Sequence, residues 1–485
     1  MLPRSGGIGV PLANSMAGKS PLPPSTLWVA AALFLLFGIG PNTLLSLAAI
    51  GVLVLGAWLL WRPGESPILL AVFGFQWLQA SIKVFQANWL NVEIEQLAPY
   101  GGDIQGAVQL SLAGLVVLAL AMRLGAGPWR QQDGALVRSA ALERTPNYWF
   151  RLYAIAFVGA TLVQSIAWLS PGLAQPLLAL ANLKWAFYWI LAYATFARPN
   201  SPLRYWLVAF CLEMSFAAGG FFADFKTPLF FTIFAAVGAQ VRFTIAKWLG
   251  LVSLVALLLV LAVVWTSVKK EYRSYLSGGS GQQVITVSYP ERIRKLADLV
   301  SQLDGPTLEE GGNDLLDRLS YVDFFGVILT RVPRRLPHED GAILWDAFTR
   351  PFMPRFFFPE KTSIDDSVRM NHYTGLNFAG ADRGTSISIG YMAESYIDFG
   401  AVGMMFPIFA LGYLLGRVYR WMLDIDPSRP LLGMAFATAT IYSALSLESS
   451  ITKTFGGLVV SILVSWIVLR FGAAYFFPAF KRAYR

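Results

Sequence analysis

Residues 248–268 read WLGLVSLVALLLVLAVVWTSV and contain no charged side chain. A helix needs about 20 predominantly apolar residues to cross the ~30 Å hydrocarbon core of a bilayer, and this run has that length. The whole chain of 485 residues is 55% hydrophobic and only 14% charged, and its mean hydropathy is +0.53. We therefore expect an all-α polytopic membrane protein rather than a soluble multidomain chain.

Further apolar runs of similar length recur along the chain, and a window of about 19 residues locates them. In order, the candidate spans lie near 26–40, 42–61, 66–87, 104–123, 148–169, 176–197, 204–221, 227–245, 248–268, 396–420, 430–447 and 456–478. The sequence therefore predicts about twelve transmembrane helices. We divide the chain into a disordered cytoplasmic tail (1–25), spans 1–9 (26–268), a hydrophilic loop region (269–395), and spans 10–12 with a cytoplasmic tail (396–485).

Lysine and arginine are concentrated in every second connection between these runs. If the N-terminus is cytoplasmic, the cytoplasmic segments carry Arg4, Lys19, Arg62, Arg123, Arg130, Arg138, Arg144, Arg198, Arg204, Arg242, Lys247, Arg417, Arg420, Arg429, Lys481, Arg482 and Arg485. The short connections on the other side then carry only Lys226 and Lys453. Because basic loops stay in the cytoplasm, we predict that both termini are cytoplasmic and that the loop region lies on the outer side.

Composition and motifs exclude several classes of function. The net charge is +9, but the basic residues lie between apolar runs rather than on a soluble module with interleaved aromatics, so no nucleic-acid partner is expected. Cys211 is the only cysteine, which excludes an intramolecular disulfide and a cysteine-based metal site. Asp365 and Asp366 are adjacent in sequence and need not converge, so no metal is expected. Without a phosphate-binding glycine motif, no nucleotide cofactor is expected either.

The loop region combines helical patterns with an irregular apolar segment. A helix with one apolar face begins at Ser288-Tyr289-Pro290, and a second helix is predicted over 313–332. Residues 337–361, PHEDGAILWDAFTRPFMPRFFFPEK, then place prolines and phenylalanines among charged residues. Such a segment is typical of an interfacial or re-entrant elbow, which is tolerated at membrane depth where it is buried in protein or lines a cavity.

Several basic residues lie where the topology does not require them. Four lysines fall at or near the outer ends of spans: Lys83, Lys184, Lys226 and Lys453. Ionisable groups on the disfavoured side of a membrane protein are costly, which indicates that they have a functional role. The loop region adds Arg318, Arg331, Arg334, Arg335, Arg350, Arg355, Lys361, Arg369 and Arg383. Together they predict a cationic pocket at the boundary of lipid and water, suited to a lipid-linked diphosphate. The alternative is an ordinary external domain with solvated charges.

Three motifs resemble those of the bacterial oligosaccharide repeat-unit polymerases, the O-antigen polymerase type. FFFPEK at 356–361 precedes TSISIGYMAESYIDFGAVGMMFPIFALGYLLGRVYR at 385–420, which matches that family's Pro-x-Lys element, short Ser/Gly run and acidic-aromatic helix start. DRLS at 317–320 followed by RVP at 331–333 looks like the Arg-containing helix before this element. GGFFADFK at 219–226 is similar to the loop between the family's middle spans.

The resemblance implies a glycosyltransferase of the membrane-embedded GT-C type in the bacterial inner membrane. Its donor is a glycan on undecaprenyl diphosphate, its acceptor is another lipid-linked repeat unit, and a polysaccharide chain-length regulator is a possible partner. In this interpretation Arg318, Arg355, Lys361 and Arg383 stabilise the departing diphosphate. Lys226 and Lys453 contribute at the rim, and Tyr391 and Tyr396 offer faces for sugars, although an interfacial aromatic belt is the alternative reading of each tyrosine.

Two residues compete for the role of a general base toward the acceptor hydroxyl. His372 is one of only two histidines, and a structural role is its alternative. Glu394 begins the span after the Ser/Gly run, where it can equally complement the helix dipole. Two other functions also stay open: an O-antigen ligase, which shares the chemistry and differs in acceptor, and a transporter or flippase of the lipid-linked sugar.

Overall fold

A computed structural model of the chain describes residues 24–199, 201–218, 225–241, 245–279, 286–353, 357–358, 360–361, 364–380 and 386–472. The secondary structure over these ranges is helical, with no strand. An all-α protein is therefore confirmed for the described part of the chain. The tail predicted over 1–25 falls almost entirely outside those ranges.

Twenty α-helices, numbered α1 to α20 in chain order, make up most of the described structure, together with several short 3₁₀ and π-helical segments. The first eleven are Pro24–Leu33, Thr43–Leu60, Ile68–Trp89, Ile104–Ala126, Gln131–Glu143, Pro146–Leu169, Ala174–Asn182, Lys184–Phe196, Arg204–Ala218, Lys226–Gly238 and Ile245–Leu276. The other nine are Tyr289–Ser301, Gly305–Leu319, Val322–Arg331, Ala342–Thr349, Asp366–Thr374, Tyr391–Gly403, Met405–Asp424, Pro430–Ile441 and Ile451–Ile467. Helices α12 to α16 lie in the loop region, and we call their end of the bundle the loop-region end.

Seven described helices are long and apolar enough to cross a membrane. They are Thr43–Leu60, Ile68–Trp89, Ile104–Ala126, Pro146–Leu169, Ala174–Phe196, Val252–Leu276 and Ile451–Gly472. An eighth span results if α17 and α18 are counted as one, although they meet at a bend of 117°. The protein is thus a helical membrane protein, and each of the seven helices overlaps a predicted span.

The remaining predicted spans correspond to shorter or broken helices. Residues 26–40, 227–245 and 430–447 overlap the short apolar helices Thr26–Gly38, Lys226–Gly238 and Pro430–Ser446, and 204–221 overlaps α9. Span 396–420 is interrupted at Gly400, whose φ of 69° is left-handed backbone that favours glycine. Length and composition therefore do not confirm the number twelve.

The closest helix packing joins α4 to α18. Gly412 and Gly416 are four residues apart on α18, and a Cβ at Gly412 would lie 2.8 Å from the carbonyl oxygen of Leu118 on α4. Gly125 of α4 faces the backbone of α18 in the same way. Small residues at four-residue spacing let membrane helices approach closely enough for backbone contact. This pair positions α17, which continues into the loop region.

Ion pairs and a backbone hydrogen bond connect the loop region to the spans. The ammonium of Lys83, in the last third of α3, lies 2.9 Å from Asp317 of α13 and 3.5 Å from Asp323 of α14. Asp103 at the start of α4 donates its backbone N–H to Gly326 of α14 at 3.0 Å. Lys83, which the sequence placed among surplus outer cations, is therefore engaged by two acids of the loop region.

We expect the Asp323 carboxyl to make stability depend on pH. Burial raises the pKa of this carboxyl from its ordinary value near 3.8 to about 6, and Lys83 offsets only part of that rise. Between about pH 4 and 6 the folded chain therefore keeps a proton that the unfolded chain releases. Stability falls as pH rises through that window, by about 2–3 kcal/mol from this group.

Thermal unfolding midpoints at pH 4.5 and pH 7 would test this expectation. Asp323→Asn should reduce the difference between the thermal midpoints at pH 4.5 and pH 7, because asparagine does not titrate. Glu95→Gln is the control, since Glu95 is an exposed carboxylate with no contact to the Lys83–Asp323 pair, and this variant should leave the profile nearly unchanged. Identical profiles for wild type and Asp323→Asn would contradict the proposed titration.

Candidate functional site

An open cleft of about 440 Å³ lies between α15 and α16 at the loop-region end. Its lining is Ala342, Ile343, Asp346, Arg350, Ile364, Asp365, Asp366, Val368, Arg369, His372 and Tyr373. Two guanidinium groups, three carboxylates and one imidazole thus share one cavity. A cleft that brings a few polar groups together in this way is the default location for a ligand site.

Arg369 forms the floor of the cleft through a buried ion pair. Its Nη1 donates to Oε1 of Glu394 on α17 at 2.6 Å, and its Nη2 lies 4.0 Å from Asp346. Burial is the largest single influence and disfavours the charged guanidinium, but the carboxylates of Glu394, Asp366 and Asp346 together outweigh it and raise the pKa of Arg369. The other Glu394 oxygen accepts the backbone N–H of Ile451 at 2.6 Å.

Glu394 therefore lies behind Arg369, on the side away from the cleft, and is not among the lining residues. Only 1% of the residue is exposed, and both carboxylate oxygens accept hydrogen bonds. This arrangement suits a group that holds Arg369 in place. The general-base role of Glu394 stays a prediction.

Lys453 joins α20 to α16 on the same side of the cleft. Its Nζ lies 2.9 Å from Oδ2 of Asp366 and donates to Oγ of Ser386 at 2.8 Å. Ser388 also donates to the Asp366 carboxylate. The lysine predicted to contact substrate is thus part of the frame that holds α16 beside the span α20.

The position of α15 is set by Asp398 on α17. The two Asp398 carboxylate oxygens accept the backbone N–H groups of Ile343 and Leu344 at 3.1 and 2.8 Å. These are donors that the first turn of a helix leaves unsatisfied, so the carboxylate caps α15. The cap fixes the helix that carries Asp346 and Arg350.

Lys361 lies beside the end of α15, the helix that carries Asp346 and Arg350. Its Nζ donates to the carbonyl oxygens of Arg350 and Met353 at 2.7 and 2.9 Å, which places a cation at the C-terminal end of a helix segment, where the helix dipole favours it. Lys361 therefore adjoins the cleft through Arg350 and is not among its lining residues.

His372 contributes the one imidazole among the lining residues of the cleft. It is exposed on α16, three residues after Arg369, and its ring meets that of Tyr373 edge-on at 4.8 Å between centroids. Tyr373 in turn donates to Glu339 at 2.6 Å, so the tyrosine is held in place beneath the imidazole.

The other predicted site residues lie elsewhere or outside the described residues. Arg318 is exposed on α13, near Lys269 and Arg273 of α11. Lys226 is exposed at the start of α10. Tyr391 is buried and borders a second, smaller cavity, and the buried Tyr396 donates its hydroxyl to the Val332 carbonyl oxygen at 3.0 Å. Arg355 and Arg383 lie outside the described residues.

An exposed aromatic edge borders the cleft. Trp345, Phe348 and Phe352 follow one another along α15 and the turn after it, with exposed fractions of 68%, 51% and 65%. Neighbouring rings are 6.3 and 5.7 Å apart, and Phe348 also meets Phe455 of α20 at 6.0 Å. Because α20 is a candidate span, the aromatic edge connects the cleft with the apolar surface of the bundle.

Sequence reasoning named Arg350 and Arg369 only as members of a general cationic face. The spacing of Asp366, Arg369 and Tyr373 at three and four residues was the available signal, because residues so spaced share a helix face. Asp346 and Arg350 show the same four-residue spacing and pair at 3.2 Å. Within the described ranges, no group of three or more His, Cys, Asp or Glu could hold a metal ion.

Fold and cleft together define an all-helical membrane protein with a charged cleft at one end of its bundle. The family described as Domain of unknown function (DUF8712) matches residues 135–482, more than two thirds of the chain, so the chain belongs to that family. No curated protein and no solved structure matches the chain.

Proposed function

We propose that this protein is a membrane glycosyltransferase that polymerises undecaprenyl-diphosphate-linked oligosaccharide repeat units, a GT-C-like enzyme with about twelve spans. The observation that carries the proposal is the cleft beside α15 and α16, where Arg350, Arg369 and His372 share one cavity bordered by an aromatic edge. A substrate with an anionic diphosphate and a long apolar chain needs both surfaces side by side.

The two arginines and the histidine of the cleft each have a role in the proposed reaction. An acceptor sugar hydroxyl attacks the anomeric carbon of the lipid-linked glycan, and a new carbon–oxygen bond forms. The bond from that carbon to the diphosphate oxygen breaks, and the diphosphate leaves with the electron pair. Arg350 and Arg369 stabilise the charge that develops on the leaving group, since cations held in place beforehand need no reorganisation when that charge forms.

The hydroxyl proton passes to His372 in its neutral form. Its exposure in the cleft and its position next to the cations allow it to meet an acceptor hydroxyl, and proton transfer of this kind contributes about 10²–10⁴-fold. Lys361 donates to the backbone carbonyl oxygen of Arg350 and so helps to fix the end of the helix that carries this arginine. We place the cleft on the periplasmic face of the bacterial inner membrane, with both termini cytoplasmic and a chain-length regulator as partner.

Polymerisation by purified protein in lipid nanodiscs tests the proposal. Incubation with lipid-linked repeat units isolated from a strain that lacks the gene should give a product ladder. Arg350→Ala should slow ladder formation about 10²–10³-fold and His372→Ala about 10²–10⁴-fold. Arg335→Ala is the matched control, because Arg335 is exposed and does not line the cleft.

The outcomes distinguish an error in the location of the active site from an error in the type of reaction. A ladder that persists in both Arg350→Ala and His372→Ala would move the active site away from the cleft. If Arg318→Ala combined with Arg355→Ala abolished the ladder instead, the site would lie where the sequence predicted it. Lipid-linked chains of full length that accumulate without transfer in a deletion strain would identify a ligase, which uses the same chemistry on another acceptor.

A transporter of lipid-linked sugar is the second candidate, favoured by charges inside the bundle. Lys184 lies 2.6 Å from Glu213, and Tyr153 donates its hydroxyl to the same carboxylate at 2.9 Å. Lys184 sits near the middle of the span Ala174–Phe196, and ionisable groups at such depth often mark transport pathways. Transfer of intact repeat units across a vesicle membrane without a product ladder would support this candidate against catalysis.

A further inference from the structure

Helices α12 and α13 pack against the end of α11 that enters the loop region. Leu299 of α12 is buried among apolar residues of α11. The approach of α13 is closer, because Ser267 of α11 donates its hydroxyl to the carbonyl oxygen of Thr307 at 3.2 Å, and a Cβ at Gly311 would overlap the same hydroxyl. The last turns of this span are therefore in contact with two helices of the loop region.

Lys269 places a buried cation at this junction. It lies about two helical turns before the end of the candidate span Val252–Leu276, and 8% of the residue is exposed. Within the described ranges its ammonium forms neither an ion pair nor a hydrogen bond, whereas the neighbouring Glu271 pairs with Lys295 of α12 at 2.8 Å. Burying a cation without a counter-charge is costly, so the position of Lys269 favours a function in which an anion binds beside it.

Two arginines lie beside this lysine. Arg273 follows Lys269 by four residues, a spacing that places both on one face of α11, and its guanidinium stands 5.9 Å from the centre of the Trp265 ring. Arg318 of α13 is exposed, and both arginines are near enough to act electrostatically on Lys269. Asp314 of α13 supplies one opposing negative charge. Among the described residues the junction therefore has an excess of positive charge.

The location of these cations suits the phosphate of a lipid head group. Earlier turns of α11 expose apolar side chains, among them Val252, Val255 and Val260, so acyl chains can contact this helix directly. The end of a span lies at the level of the head groups. Guanidinium groups bind phosphate oxygens in a fork, and an ammonium adds a compact positive charge. The cluster thus combines the charge and the depth that an anionic lipid requires.

We propose that Lys269, Arg273 and Arg318 form a binding site for the phosphate head group of an anionic membrane phospholipid at the junction of α11 and α13. None of the three residues lines the cleft beside α15 and α16, so the site needs no assumption about glycosyl transfer or transport. Because its cations come from a span and from a helix of the loop region, a bound lipid stabilises the packing of α13 on α11.

Binding of short-chain phosphatidylglycerol to the purified full-length protein in neutral detergent tests the site. We expect saturable binding that is tighter than that of short-chain phosphatidylcholine, and a thermal midpoint that rises with phosphatidylglycerol. Lys269→Met and Arg318→Gln should each weaken binding about tenfold, the effect of losing one charge-assisted hydrogen bond. Arg294→Gln is the matched control and should bind as wild type, because Arg294 is exposed on α12 and is not among the charges that act on Lys269.

Arg318→Gln keeps the test decisive if Lys269→Met does not fold, because Arg318 is exposed. Equal affinity of the wild type for the two lipids would overturn the proposal, and so would undiminished phosphatidylglycerol binding in every variant that folds. Inorganic phosphate, compared with chloride at equal ionic strength, separates a lipid from a soluble ligand. If phosphate raised the thermal midpoint of wild type but not of Arg318→Gln, while phosphatidylglycerol had no effect, the site would take a soluble phosphate compound and the lipid assignment would be wrong.

Discussion

Replacing Arg369 by methionine is expected to destabilise the protein by about 3–5 kcal/mol, because the change leaves a carboxylate buried without its cation. Glu394 is 1% exposed and lies 2.6 Å from the guanidinium of Arg369. Once the arginine is removed, the Ile451 N–H at 2.6 Å remains its nearest donor. The loss should appear as a lower thermal midpoint and a lower denaturant midpoint of the purified protein.

Two further variants separate the missing charge from the missing contact. Arg369→Met combined with Glu394→Leu should recover most of the stability, since a buried ion pair can be replaced by apolar residues at little cost. Arg350→Met is the matched control, because its partner Asp346 is 41% exposed and partly exposed pairs contribute about 1 kcal/mol or less. If Arg369→Met were as stable as Arg350→Met, Glu394 would not depend on Arg369.

The same ion pair shows why the site was only partly predictable. Arg369 and Glu394 belong to different helices, and nothing in their local sequence indicates that they meet. His372 was predicted and does line the cleft, because a rare titratable residue stands out by type alone. Arg369 did not stand out among many cations of the loop region, since its importance comes from a partner that folding brings to it.

Most of the membrane-spanning helices, in contrast to the ion pair, could be predicted from local sequence. Apolar composition is a local property, so 248–268 and 104–123 could be predicted from residue type, and both overlap candidate spans in the structure. The break at Gly400 could not be predicted in this way. Glycine is common in membrane helices, and only the left-handed φ of 69° distinguishes this glycine from those, such as Gly159, that lie in a continuous helix.

Buried polar cavities were the least predictable feature. Gln76 and Gln79 fall within an apolar run, where each reads as a tolerated polar residue of a span. Only the assembled structure, in which α3, α14, α17 and Glu448 border one cavity, shows that Gln76 Nε2 and Gln79 Oε1 are buried without a close hydrogen-bond partner among the described residues. The signal lies in unsatisfied atoms, which are a property of the assembled structure.

Replacing Gly416 by leucine is expected to prevent α4 and α18 from packing, at a cost above about 3 kcal/mol. A Cβ at this position would lie 2.7 Å from the Ala126 nitrogen and would also overlap the Met122 carbonyl oxygen. Both atoms belong to the backbone of α4, so no side-chain rotation relieves the clash, and the two helices must separate. Overpacking of this kind usually costs 1–3 kcal/mol, and a backbone obstacle places it at the upper end or beyond.

Gly159→Leu isolates the clash from the general effect of replacing a helical glycine. Gly159 lies within α6, and a Cβ there would meet nothing within 4 Å, so this variant gains the ~1 kcal/mol of helix propensity that leucine has over glycine. Gly416→Leu gains the same propensity and loses the α4–α18 contact. The difference in thermal midpoint between the two variants therefore measures the packing, and α17 should lose its support when that packing fails. Equal midpoints would mean that α18 approaches α4 less closely than its glycines indicate.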